Sequence, residues 1–222
     1  MRSADANSYG RLSHWFAQLA PLPAPRPPLS GPREADVCIV GAGFTGLWTA
    51  YELRRADPSL EVVVLEAEIA GFGASGRNGG SVVGELAGSR ERWAQRRGRE
   101  GTMALLRAIA DTVEEIGNAV EREGIACDFI VGGALHVAQT PIELQRLRTA
   151  IEIDRAWGIG PEDSVLLDGE QTAERVAVDG VLGARYFTHC ARLQPRQRRC
   201  TTGSFATSIC SAPPMAGSRL EG

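Results

Sequence analysis

From Asp36 to Leu65 the chain alternates two textures, short β-branched runs and a longer stretch whose apolar residues return every three or four positions. Val37 to Val40 is a β-branched run ending on glycine, which predicts a buried strand. Cys38 lies inside it and is expected to be buried as a small hydrophobe. Phe44 to Arg55 predicts a helix, with Leu47, Ala50, Tyr51 and the stem of Arg54 along one side. Asp57-Pro58-Ser59 breaks that helix, and Glu61 to Leu65 (EVVVL) predicts a second buried strand. Strand, glycine turn, helix and strand make a βαβ unit, the crossover that parallel strands need.

Beyond it, Gly71 to Gly80 (GFGASGRNGG) is a glycine-rich loop. A long amphipathic helix follows, with Met103, Leu106, Ile109, Val113, Ile116 and Val120 on one face and Gly124 as its stop. Asp128 to Ala138 predicts two short strands around a Gly132-Gly133 kink. Thr140-Pro141-Ile142-Glu143 is a capping box with proline at the first helical position, opening a helix that runs to Trp157. Asp168 is expected to cap a further short helix, and Val181 to Thr188 predicts another strand. No internal repeat is visible. Residues 1–35 read as a leader in which Tyr9, Trp15, Phe16 and Leu19 can pack on the body. Six prolines between Pro21 and Pro32 then form an extended, stiff connector.

Composition narrows the function classes. The chain is 43% hydrophobic and 23% charged, enough apolar content for a sizeable core. A net charge of -3 gives no general pull toward nucleic acid. The arginines from Arg90 to Arg99 are interleaved with Glu91 and Glu100 and read as a solvated helix face. No apolar run reaches the length of a membrane span, and the N-terminus lacks a secretory apolar stretch. The five cysteines form no CxxC pair and no zinc-like spacing with the three histidines, so no metal site is expected. The compartment reads as a reducing cytoplasm.

The chemistry is concentrated in Gly41-Ala42-Gly43-Phe44-Thr45-Gly46. Gly41 allows the tight turn out of the strand, Gly43 lets a pyrophosphate approach the backbone, and Gly46 lets the helix pack close to the sheet. The helix N-terminus offers unpaired N–H groups to the phosphates, from Phe44 and Thr45 among others. Glu66 ends the second strand, beside Ala67, where a carboxylate can accept bonds from the adenosine ribose hydroxyls and would repel a 2′-phosphate. These residues fit FAD and NAD about equally. The loop after Glu66 favours FAD, because its glycines let backbone pass a large planar cofactor while Ser75, Gly76, Arg77, Asn78 and Gly79 supply donors.

The stretches DVCIVGAGFTGLWTAYELRR, VVVLEAEIAGFGASGRNGG and GGALHVA resemble the FAD-dependent oxidoreductases of the D-amino-acid oxidase superfamily, in particular the gamma-glutamylputrescine oxidoreductase-like branch. The resemblance runs from Asp36 to Pro195. It implies an α/β fold: an FAD/NAD(P)-binding Rossmann-like domain with a partial α+β substrate domain. The implied partition is a Pro-rich leader at 1–35, the N-terminal part of the FAD-binding domain at 36–126, part of the substrate domain at 127–195 and a tail at 196–222. The implied activity is oxidation of a C–N bond in a small-molecule amine or amino acid, with hydride passing to flavin N5. Some relatives attach FAD covalently through histidine or cysteine near the flavin. The GRNGG loop has no histidine, so noncovalent FAD is expected. His136 and His189 fall on predicted strands and read as structural. No catalytic residue is assigned.

After Pro195 the resemblance stops. RQRRCTTGSFATSICSAPPMAGSRLEG has no helical or strand periodicity and reads as a disordered tail, with a shift of reading frame as one origin. Two other readings stay open. One is a truncated, non-catalytic chain that at most binds the nucleotide. The other is a NAD-dependent dehydrogenase or methyltransferase using the same βαβ, which the loop after Glu66 disfavours.

Overall fold

A computed structural model describes residues 6–19, 21, 24–195 and 208–211. Two compact units result, one from residues 1–79 with 194–222 and one from residues 80–193.

In the first unit, a 3-10 turn at Ala6–Arg11 leads to a short helix α1 (His14–Ala17), which Ser13 caps by accepting the Phe16 N–H. The connector then gives way to β1 (Val37–Val40), α2 (Phe44–Ala56) and β2 (Val62–Glu66). The strands pair in parallel, Val37 opposite Val62 through Val40 opposite Leu65. The βαβ unit expected from the periodicity is therefore present. Its core holds Ala42, Ala50, Val62 and Val64, with Val37, Ile39, Leu47, Leu53 and Leu60 packed on them. Arg54 folds over the α2–β2 connection and donates to the carbonyls of Pro58 and Leu60.

The strand β1 corrects one expectation. Its residues alternate between half-buried and exposed, so Cys38 is exposed rather than buried, and Val40 is 85% exposed. A β-branched run marks a strand, but only what lies on each face decides burial.

The second unit holds β3 (Ser81–Val83), α3 (Arg90–Arg122), β4 (Ile130–Val131), β5 (Ala134–Ala138), α4 (Pro141–Ala156), β6 (Ser164–Asp168), α5 (Gly169–Ala173), β7 (Gly183–Phe187) and β8 (Cys190–Arg192). Two antiparallel sheets form, in the orders β3-β8-β4 and β5-β7-β6. Both expected caps are made. Thr140 and Glu143 close a reciprocal box on α4, and Asp168 closes one with Gln171 on α5. The helix α3 buries Thr102, Leu106, Val113 and Ala119, is broken at Gly98 (φ 71°) and ends before Gly124 (φ 60°). Residues 80–126, grouped by sequence with the cofactor domain, fall in this second unit. His136 is exposed on β5, while His189 sits in the turn between β7 and β8 rather than on a strand, with Nε2 2.6 Å from Asp163 Oδ1.

Most of the 196–222 tail lies outside the described residues. Within it, Ser208–Ser211 forms a strand β9 that extends the first unit's sheet in parallel beside β2, with Val63 opposite Ser208. Among the described residues no helix is long and apolar enough to cross a membrane, and no cluster of His, Cys, Asp and Glu could hold a metal.

Candidate cofactor site

The site is built where β1 turns into α2. Gly41 leaves the strand at φ 99°, a left-handed conformation that glycine adopts without strain, and donates its N–H to Leu65 O at 2.7 Å. Ala42 is fully buried and accepts the Gly71 N–H at 2.8 Å, which ties the turn to the start of the glycine-rich loop. Gly43 stands at the N-cap of α2 with extended backbone and no side chain to satisfy the helix's first N–H groups. Gly46 faces the turn, and a Cβ there would overlap the Gly41 carbonyl oxygen and lie 3.2 Å from Ile39 Cγ2. Gly41 thus makes the tight turn and Gly46 the close helix–sheet packing that the sequence implied. Phe44 and Thr45 begin the helix, both exposed.

Two groups converge on this turn from outside it. The Ser75 hydroxyl accepts the Phe44 N–H at 2.8 Å, in space that exists because Gly43 has no Cβ. The half-buried Glu66, at the end of β2, accepts the Ala42 N–H on Oε2 at 2.8 Å and the Glu68 N–H on Oε1 at 3.1 Å. A carboxylate has about four lone-pair positions, so about two stay available to sugar hydroxyls. Ala67, next to it, is exposed.

The remaining polar side chains of the loop bond within the loop itself. Asn78 donates its Nδ2–H to Ser75 O at 2.7 Å, closing the loop on itself. Arg77 donates its Nε–H to Phe72 O at 2.9 Å and lays its guanidinium over the Phe72 ring. Gly76 is buried, and Gly79 is exposed with open space around it. The structure therefore brings Gly41, Gly43, Phe44, Thr45, Gly46, Glu66 and Ser75 together. Arg77 and Asn78 bond to Phe72 O and Ser75 O and shape the loop. The arrangement suits an ADP-like group: a helix N-terminus and a hydroxyl for phosphates, a backbone without Cβ for close approach, and a carboxylate for a diol.

The leader packs on the body as its aromatic residues suggested, Tyr9 and Phe16 being buried with Ile69, but the sequence did not name the glycine-rich loop as what it meets. Ser13 donates to Gly76 O at 2.6 Å, Trp15 Nε1–H donates to Asn78 O at 2.7 Å, and Phe16 is fully buried beside Gly76. The aromatic residues at Tyr9, Trp15 and Phe16 were the available signal. Two surface hollows, of about 350 and 240 Å³, share Trp93 in the second unit, and no residue of the glycine turn lines either.

Comparisons with known proteins agree with the geometry. Residues 36–198 match a family described as FAD dependent oxidoreductase. The chain is 35% identical over 173 residues to gamma-glutamylputrescine oxidoreductase of Escherichia coli, covering 78% of this chain and 39% of that protein. It is 29% identical over 171 residues to a probable oxidoreductase OrdL of Haemophilus influenzae, covering 76% and 38%. The FAD-bound L-alpha-glycerophosphate oxidase of Mycoplasma pneumoniae superposes with a TM-score of 0.58 at 18% identity, covering 81% of this chain and 45% of that one, a likeness of fold. The chain spans 38–39% of the length of the curated relatives it matches.

Proposed function

Because the chain belongs to the family of FAD-dependent oxidoreductases, we propose that it is the cofactor-holding portion of an enzyme that oxidises a C–N bond in a small amine or amino acid. The observation that carries this reading is the convergence of Glu66 and Ser75 on the Gly41–Gly43 turn. FAD, the family's cofactor, supplies the two-electron acceptor when bound. The chain's own residues bind and orient it. The N-terminus of α2 and the Ser75 hydroxyl take the pyrophosphate, with Gly43 allowing its approach. Glu66 takes the adenosine ribose hydroxyls and turns away a 2′-phosphate. Attachment is noncovalent, since the 71–80 loop offers neither histidine nor cysteine.

A second reading, in which this chain holds FAD without turnover, is favoured by Val40. A valine 85% exposed at the end of a Rossmann-type strand leaves apolar surface beside the site open to water. Anaerobic mixing with a panel of amines and amino acids separates the two. Loss of the flavin absorbance on addition of one of them supports the oxidoreductase. A flavin that is bound and stays yellow through the whole panel supports the second reading and removes the first for this chain.

A further inference from the structure

The N-terminal segment carries no chemistry of its own, yet it is fastened to the loop that follows Glu66. Ser13 O–H reaches the Gly76 carbonyl and Trp15 Nε1–H the Asn78 carbonyl, each bond joining residues 63 positions apart. The Phe16 ring fills the space that a Gly76 side chain would need, 2.7 Å from that Cβ position. Tyr9, 2% exposed, stands edge-on to Phe72 at 6.2 Å and donates its O–H to Glu68 Oε2 at 3.0 Å. Burial, with the Glu68 carboxylate beside it, pushes the Tyr9 phenol upward, so the donor keeps its proton at neutral pH.

These contacts act on backbone direction. A trans peptide is planar, and its N–H points opposite to its C=O. Holding the Asn78 carbonyl on Trp15 therefore aims the Gly79 N–H to the opposite side of the peptide; Gly79 is exposed, and a Cβ on it would meet nothing within 4 Å. Holding the Gly76 carbonyl on Ser13 fixes the peptide before Arg77 in the same way.

We propose that Ser13 and Trp15 are positioning residues for the cofactor: the N-terminal segment braces the 76–79 backbone and thereby sets how tightly FAD is held. This rests on the 71–80 loop being part of the FAD site.

The test uses the full chain and two readouts, hydrogen exchange of the 71–80 segment without ligand, and titration with FAD followed by flavin fluorescence and visible circular dichroism. The variants are Trp15→Phe, Ser13→Ala and Ser13→Thr, with Trp93→Phe as an indole control in the second unit. One lost hydrogen bond corresponds to a roughly five-fold weaker FAD affinity. The expected result is faster exchange of the segment, weaker FAD binding and an altered flavin dichroism in Trp15→Phe and Ser13→Ala. Ser13→Thr restores the wild-type values, and Trp93→Phe changes none of them. Unchanged exchange in Trp15→Phe overturns the brace itself. Faster exchange with unchanged FAD affinity overturns its action on the cofactor. A wild-type chain whose segment is protected but takes up no FAD overturns the FAD reading, and the proposed action with it.

Discussion

A methyl group on Gly46 would overlap the carbonyl oxygen of Gly41 and press on Ile39, so α2 could not keep its distance from β1. Overpacking of this kind costs about 1–3 kcal/mol. Gly46→Ala is expected to lower stability by that amount in urea unfolding and to weaken FAD binding by at least about ten-fold, because the displaced helix carries the phosphate-facing N–H groups away from Ser75. At this scale much was legible in the sequence. The glycine spacing and the acid at the end of β2 are local signals, and the structure brings both to the β1–α2 turn. Cys38, Arg77 and Asn78 were not legible. The exposure of Cys38 depends on what covers β1, and the bonding of Arg77 and Asn78 depends on partners within the loop, the Phe72 ring and carbonyl and the Ser75 carbonyl, that no spacing rule names.

Between elements, the second unit is locked by a buried ionic network. Asp154 on α4 receives Arg90 of α3 at 2.8 Å, the Ser164 hydroxyl of β6 at 2.7 Å and Arg185 of β7 at 2.8 Å, and Arg185 also meets Glu85 at 2.7 Å. Removing one member of such a network leaves uncompensated buried charge and costs about 3–5 kcal/mol. Asp154→Ala is expected to lose that much in denaturant unfolding. The pH dependence has a definite sign. Burial alone would raise the Asp154 carboxyl, but the Ser164 and Arg90 bonds and the Arg185 charge outweigh it and hold it below the ordinary 3.8. Its contribution is therefore complete above pH 3.8 and is lost as pH falls through the lowered value. In Asp154→Asn that acid-dependent part of the unfolding free energy should vanish. None of this network could be read in advance, since it joins residues up to 100 positions apart, from Glu85 to Arg185. The same holds for β3 and β8, three-residue strands defined by their pairing with distant partners, β3 with β8 and β8 with both β3 and β4. The caps at Thr140 and Asp168 were legible because their partners lie three residues away.

At the scale of the molecule, a Rossmann-type βαβ unit is joined to a glycine-rich loop and a leader that bonds to that loop through Ser13 and Trp15. Family membership gives FAD as the cofactor and the turn suits the ADP-like half that FAD shares with other dinucleotides, while turnover and substrate belong to proposals that the chain's 38–39% share of these two relatives' length leaves to experiment. The central claim is that this chain, by itself, holds FAD noncovalently at the Gly41–Gly43 turn. Titrating the purified full chain with FAD while recording the flavin absorbance, then precipitating with acid, addresses it most directly. The expected result is a single saturable site that takes one FAD per chain and releases all of it to the acid supernatant. A titration that shows no saturation, or yellow colour retained in the acid pellet, would contradict it.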